Sequence, residues 1–244
     1  MLAVLVFKTN FLDKVALKLG FPEDEIGPHY TEMLEYHKRM DANVPPNSIV
    51  FIGDSLIQGL YVQAAHDKAV NFGIGNDTVV GVLKRLPWYR SLENASAIVL
   101  QIGVNDLEYR TGTALLRDYT TLLAQLTAGR PVIVNALFPV AEEFIDDGRQ
   151  WNQEIQAVNT ELESLCATAG SCAFLDMSAI LGEPAGSLRR EMHIGDGVHL
   201  SPRGNAAWIA ELRKVLDQVI KQQALPVTPH HPDEHSPINA ASGD

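Results

Sequence analysis

The chain has little cysteine and little positive charge, and it has no hydrophobic run of membrane-spanning length. Its two cysteines, Cys166 and Cys172, flank Gly170 at a spacing that fits no metal or redox motif. Two buried free thiols are the expectation, with a local disulfide as the geometric alternative. Lysine and arginine number 19 against 30 acidic residues, a formal net charge of −11. That balance argues against a phosphate-binding surface, and so against nucleic acid as a partner. No stretch reaches the length of a transmembrane helix. The apolar start Met1 to Phe7 lacks a basic lead and meets Lys8 before any small-residue cleavage pattern, so no signal peptide is predicted and a cytoplasmic location is expected. No internal repeat is visible.

What the chain does have is an apolar core signal. With 244 residues, 46% of them hydrophobic, and a mean hydropathy near zero, it suits one α/β domain. Strand-like runs at 48–53, 69–74, 97–103, 131–137 and 172–176 alternate with helical patterns at 56–67, 78–89, 112–128, 151–169 and from Pro202 to about Gln222. That alternation predicts a five-stranded parallel sheet with helices on both faces. The expected organisation is an N-terminal helical extension over 1–45, a single α/β domain over 46–224 and an extended or disordered tail over 225–244. Residues 1–20 carry Leu12, Val15, Ala16 and Leu19 at helical spacing and are read as an amphipathic helix on the body of the protein, a membrane surface being the alternative. The tail holds His230, His231 and His235 and is read as solvated rather than metal-binding.

The run Ile49-Val50-Phe51-Ile52 ends abruptly in Gly53-Asp54-Ser55-Leu56. A serine there sits between the carboxyl end of a buried strand and a helix N-terminus, whose amides can meet developing negative charge. Asp and Ser are also ordinary caps, so this segment alone proves little. Three more follow in order: Asn71-Phe72-Gly73-Ile74-Gly75-Asn76-Asp77-Thr78, Gln101-Ile102-Gly103-Val104-Asn105-Asp106, and Asp196-Gly197-Val198-His199. The first two lie just after strands and would converge on the carboxyl rim of the sheet. The last must return over that rim from the irregular segment between Met177 and Gly195.

Taken together, these four segments resemble the conserved blocks of the SGNH hydrolases, the GDSL esterase and lipase family, over roughly Ile49 to Trp208. The resemblance implies a flavodoxin-like three-layer α/β/α fold and a serine esterase that forms an acyl-enzyme on Ser55. His199 would be the base and Asp196 its orienter. The side chain of Asn105 would donate to the oxyanion, together with the backbone amides of Ser55 and of a block-two residue. Relatives commonly read Gly-Ile-Gly-Gly-Asp-Thr in block two, so Asn76 stands at the usual oxyanion glycine. Asparagine tolerates positive φ better than most residues, which would keep its amide in play. His193 and Asp176 are rivals for the base and the carboxylate. Asp54 and Asp106 are read as loop-ordering acceptors. Phe138, Pro139 and Phe144 are candidate pocket-lining residues. No metal or organic cofactor is implied, and the partner is a small ester. Block two followed by Leu83-Lys84-Arg85-Leu86 looks most like the platelet-activating-factor acetylhydrolase type and related bacterial esterases, which implies a short acyl group on a lipid, sugar or small alcohol. Transfer to an alcohol by the same triad is the alternative, and a non-catalytic binding module the third reading.

Overall fold

The computed structural model describes residues 27–224. The expectations for residues 1–20 and for the tail with its three histidines lie outside the described residues. Eight helices are described: α1 (Pro28–Asp41), α2 (Ser55–Gln58), α3 (Val79–Arg85), α4 (Asp106–Tyr109), α5 (Gly112–Leu126), α6 (Gly148–Thr168), α7 (Ser178–Leu181) and α8 (Pro202–Ala224). The strands are β1 (Ile49–Gly53), β2 (Ala69–Gly73), β3 (Ala97–Gln101), β4 (Val132–Asn135) and β5 (Cys172–Leu175).

Every strand pairs in parallel, in the order β2-β1-β3-β4-β5. A parallel sheet covered on both faces needs strands that are apolar on both faces, and β1, β3 and β4 are buried at every position. Alternate residues serve opposite cores. Val50, Ile52, Ile98 and Leu100 pack with Val82, Tyr119, Leu122 and Leu162 from α3, α5 and α6. Ile49, Phe51, Val99 and Ile133 pack with Ile57, Trp208, Leu212 and Leu216 from α2 and α8. This is the flavodoxin-like three-layer α/β/α fold. Its strand order reverses between β1 and β3, and in such sheets the crevice beyond the carboxyl ends at that switch is where ligands bind.

The helix expected over 56–67 is shorter than its apolar spacing suggests. α2 stops at Gln58, and a single 3-10 turn follows at Val62–Ala64. The side chain of Asn71 donates to Ile57 O at 2.7 Å and Leu60 O at 3.0 Å, taking carbonyls that a longer helix would use. α3 ends at Arg85 because Pro87 brings no amide hydrogen. β3 ends before Gly103, which sits at φ +124°.

The free-thiol expectation is overturned: Cys166 and Cys172 form a disulfide. Gly170, at φ +81°, turns the chain from the end of α6 straight into β5 and brings the two Cα atoms within 5.2 Å, inside bridging range. Among the described residues no helix is long and apolar enough to cross a membrane.

α1 is tied to the body by buried polar contacts. Tyr30 Oη donates to Gly81 O at 2.7 Å. The Asp41 carboxylate accepts the Arg90 amide at 2.8 Å and the Ser91 amide at 3.2 Å.

Candidate active site

Ser55 is the first residue of α2, immediately beyond β1, and the turn that presents it depends on bare backbone. Gly53 and Gly73 face each other in the β1–β2 register. A Cβ on Gly73 would lie 2.3 Å from Gln58 N, and one on Gly53 would lie 2.0 Å from Gln101 O. Only glycine at both positions lets α2 settle directly on the strand ends. Asp54 caps α2, its Oδ1 accepting the Leu56 amide at 2.9 Å. It is wholly buried, and its Oδ2 has no hydrogen-bond partner among the described residues. Burial pushes its carboxyl up to about 7, against the opposing hydrogen bond from Leu56.

The fourth block arrives as a tight loop. His193 and Leu200 form an antiparallel bridge at its base, and the Ile194 amide donates to His199 O at 3.0 Å. Inside, the Asp196 Oδ1 accepts the Val198 and His199 amides, each at 3.0 Å. The other oxygen, Oδ2, lies 2.6 Å from His199 Nδ1, and His199 Nε2 lies 2.8 Å from Ser55 Oγ. A carboxylate can only accept, so Nδ1 carries the proton, and Nε2 is left to accept from the serine hydroxyl. Burial works to raise the Asp196 carboxyl, but the hydrogen bonds from Val198 and His199 outweigh it and hold the group below its ordinary value. The side chains of His199 and Asp196 are 44% and 39% exposed, so the cluster is open to water.

The rivals are used elsewhere. The buried ring of His193 accepts the amides of Gly195 and Gly197 at Nδ1, each at 3.1 Å, and packs edge-on to Phe144. It shapes the loop, and among the described residues it shares no hydrogen bond with Ser55. Asp176 accepts the Ser178 amide at 2.8 Å and the Ser178 hydroxyl at 2.5 Å, at the start of α7. Phe138 is also absorbed by the core, its ring edge-on to Trp208. Pro139 lines a polar groove of about 870 Å³ between α6 and the 176–189 segment, which contains none of Ser55, Asp196 or His199.

Asn105 and Asn76 lie on the loops that follow β3 and β2. Asn105 Nδ2 donates to Asp77 O at 2.9 Å, which fixes the amide, and its second hydrogen has no acceptor among the described residues. Asn76 has φ +63°, the left-handed conformation for which glycine is usual, and its side chain is exposed. Among the described residues no acceptor takes the backbone amides of Ser55 or Asn76. Asp106 accepts the Val79 amide with both oxygens, at 3.2 and 3.1 Å, and pairs with Arg110. It and Asp54 therefore hold loops, as their positions suggested.

Two neighbours escaped the sequence reading. Gln58, one turn beyond Ser55, accepts the Gly75 amide and, at 3.3 Å, the Nε2 hydrogen of His29 from α1. No spacing joins residue 29 to residue 58, so the sequence carries no signal for His29.

Comparison with known proteins bears on the fold and the family. Among solved structures, a protein of Streptococcus pneumonia described as a candidate platelet activating factor superposes with TM-score 0.70 at 21% identity, covering 88% of this chain and 99% of its own. A GDSL-like lipase from Bacteroides thetaiotaomicron gives 0.65 at 18% identity, covering 78% and 98%. An acetylxylan esterase from Geobacillus stearothermophilus gives 0.56 at 17% identity, covering 71% and 94%. No curated protein matches the sequence. The model of the GDSL-like lipase/acylhydrolase family matches residues 51–207, a span holding all four blocks, and the chain belongs to that family.

Proposed function

We propose that this acylhydrolase-family protein is a serine esterase that cleaves short-acyl carboxylic esters through an acyl-enzyme on Ser55. The observation that carries the reading is the continuous hydrogen-bonded chain from Ser55 Oγ through the His199 ring to the Asp196 carboxylate. A serine hydroxyl is a poor nucleophile until a base takes its proton, and the base works only when held in the right tautomer. In this scheme Ser55 attacks the ester carbonyl as His199 Nε2 accepts its proton. Asp196 steadies the imidazolium. The oxyanion is met by the amides of Ser55 and Asn76 and by the free hydrogen of Asn105 Nδ2, donors typically worth about 3 kcal/mol each. His199 returns the proton to the departing alcohol, and a water activated by the same ring then releases the acid. The exposure of His199 and Asp196 supports water over a second alcohol as acceptor. The short acyl group follows from the resemblance of block two and the Leu83 to Leu86 segment to the acetylhydrolase type.

Turnover of a p-nitrophenyl ester series from acetyl to palmitoyl tests this. The unaltered protein is expected to favour the short esters, Ser55→Ala and His199→Ala to abolish turnover, and Asn105→Ala to lower kcat on the order of a hundredfold. An unaltered protein inert on the whole series would overturn the esterase reading.

A further inference from the structure

Arg85, the last residue of α3, has no exposed surface. Its Nε donates to Asp77 Oδ2 at 2.8 Å. Nη1 donates to Phe72 O at 2.7 Å and to Tyr89 Oη at 2.8 Å, and Nη2 donates to Gly53 O at 3.0 Å. Gly53 and Phe72 stand at the carboxyl ends of β1 and β2, and Gly53 lies two residues before Ser55. Gly53 O also takes the Ile74 amide at 2.9 Å, at the entrance to the block-two turn. Asp77 follows Asn76. Its Oδ1 accepts the Thr78 amide at 2.9 Å, and its backbone carbonyl is the group that fixes the Asn105 amide. One planar cation thus reaches the backbone leading to Ser55, the turn bearing Asn76, and, through Asp77, the side chain of Asn105.

We propose that Arg85 is the positioning residue of the oxyanion site, setting the register between the nucleophile's strand end and the Asn76–Thr78 turn; the proposal rests on the esterase reading above. Charge alone is not sufficient for this. The guanidinium fork serves four acceptors in one plane, whereas an ammonium has three hydrogens on a single point. Nor does stability account for a fully buried ion pair, since apolar replacements of similar volume often serve stability as well or better. Two segments held at one separation are what the fork supplies. α1 closes the far side of the network. Tyr89 Oη passes its own hydrogen to His37 Nδ1 at 2.8 Å, and burial first, then Arg85, pushes His37 down to about 3, so the ring stays a neutral acceptor. Both Arg85 and Asp77 lie within the family match, but His37 lies outside it.

The test compares Arg85→Lys and the isosteric Asp77→Asn with Leu122→Ala, a change in the same core that lowers stability without removing any hydrogen bond of Arg85. Two quantities are read below each variant's melting temperature: kcat and KM on p-nitrophenyl acetate, and hydrogen exchange of the peptides spanning 53–58 and 74–79 by mass spectrometry. For both Arg85→Lys and Asp77→Asn the expectation is a kcat at least tenfold lower, a KM within threefold, and faster exchange confined to those two peptides. Leu122→Ala keeps its kcat. If both site variants keep kcat within twofold, or exchange speeds evenly across the sheet as in Leu122→Ala, the positioning role is overturned. The exchange pattern stands independently of turnover, so an inert unaltered protein would remove the esterase reading while localised exchange would still uphold the register set by Arg85.

Discussion

Asp54 couples the turn that presents Ser55 to pH. An unfolded aspartate ionises near 3.8, whereas burial holds the native carboxyl protonated up to about 7. The unfolded state therefore releases this proton first as pH rises, and the contribution of Asp54 to stability, complete below the lower value, is lost between the two. The loss amounts to at most about 1.4 kcal/mol for each pH unit in that window. Asp54→Asn keeps an oxygen for the Leu56 amide and cannot ionise, so denaturant midpoints at pH 4 and pH 7 are expected to fall less on raising pH in the variant than in the unaltered protein. Identical pH slopes would contradict the assignment. At this scale the sequence was legible where chemistry repeats in short words. Ser55, Asp196 and His199 are brought into one hydrogen-bonded chain, and Asn76 adopts the positive φ that its position requires. Arg85 was visible as part of a segment but carried no role, because a charged residue on the apolar face of a short helix gains meaning only from the carbonyls around it.

Among the elements, the turn between α6 and β5 departs most from expectation. Its two cysteines close a loop with a sequence separation of 6. A loop that small removes little chain entropy, so replacing both residues with serine is expected to cost about 2 kcal/mol. The bridge meets β5 at its first residue, the end of the strand away from the carboxyl rim, and kcat should therefore survive the change. Thermal melts and ester turnover of the double serine variant check both halves, and a collapse of kcat in folded protein would mean the edge strand reaches the site. Sequence spacing alone left thiols and bridge both open, since the decision lies in Gly170, whose positive φ is a property of the folded turn. The shortening of α2 has a similar cause. Leu56, Ile57, Leu60 and Val62 suit a longer helix, but a side chain from β2 takes its carbonyls, and no local pattern records a partner that far along the chain.

For the molecule as a whole, the sheet and its two cores were the most legible part, because strands buried on both faces must be apolar throughout. The packing also runs past the family match. Ile49 and Val50 of β1, and Leu212 and Leu216 of α8, are wholly buried yet lie outside residues 51–207. A fragment cut to that span would leave one face of the sheet uncovered by most of α8 and lose the buried contacts of α1. It is expected to lack cooperative unfolding in urea, in contrast to the whole chain; a sharp transition with native near-ultraviolet dichroism would show that the matched span folds alone. The loop from His193 to Leu200 carries a further consequence. Asp196 and His199 sit in the same turn, so the ring and the carboxylate bonded to it travel together, and within the trio the one join between distant parts of the chain is the 2.8 Å contact between His199 and Ser55 across 144 residues of sequence. Under the esterase reading, a shift of that loop against the end of β1 parts the proposed nucleophile from its proposed base while leaving the His199–Asp196 pair whole.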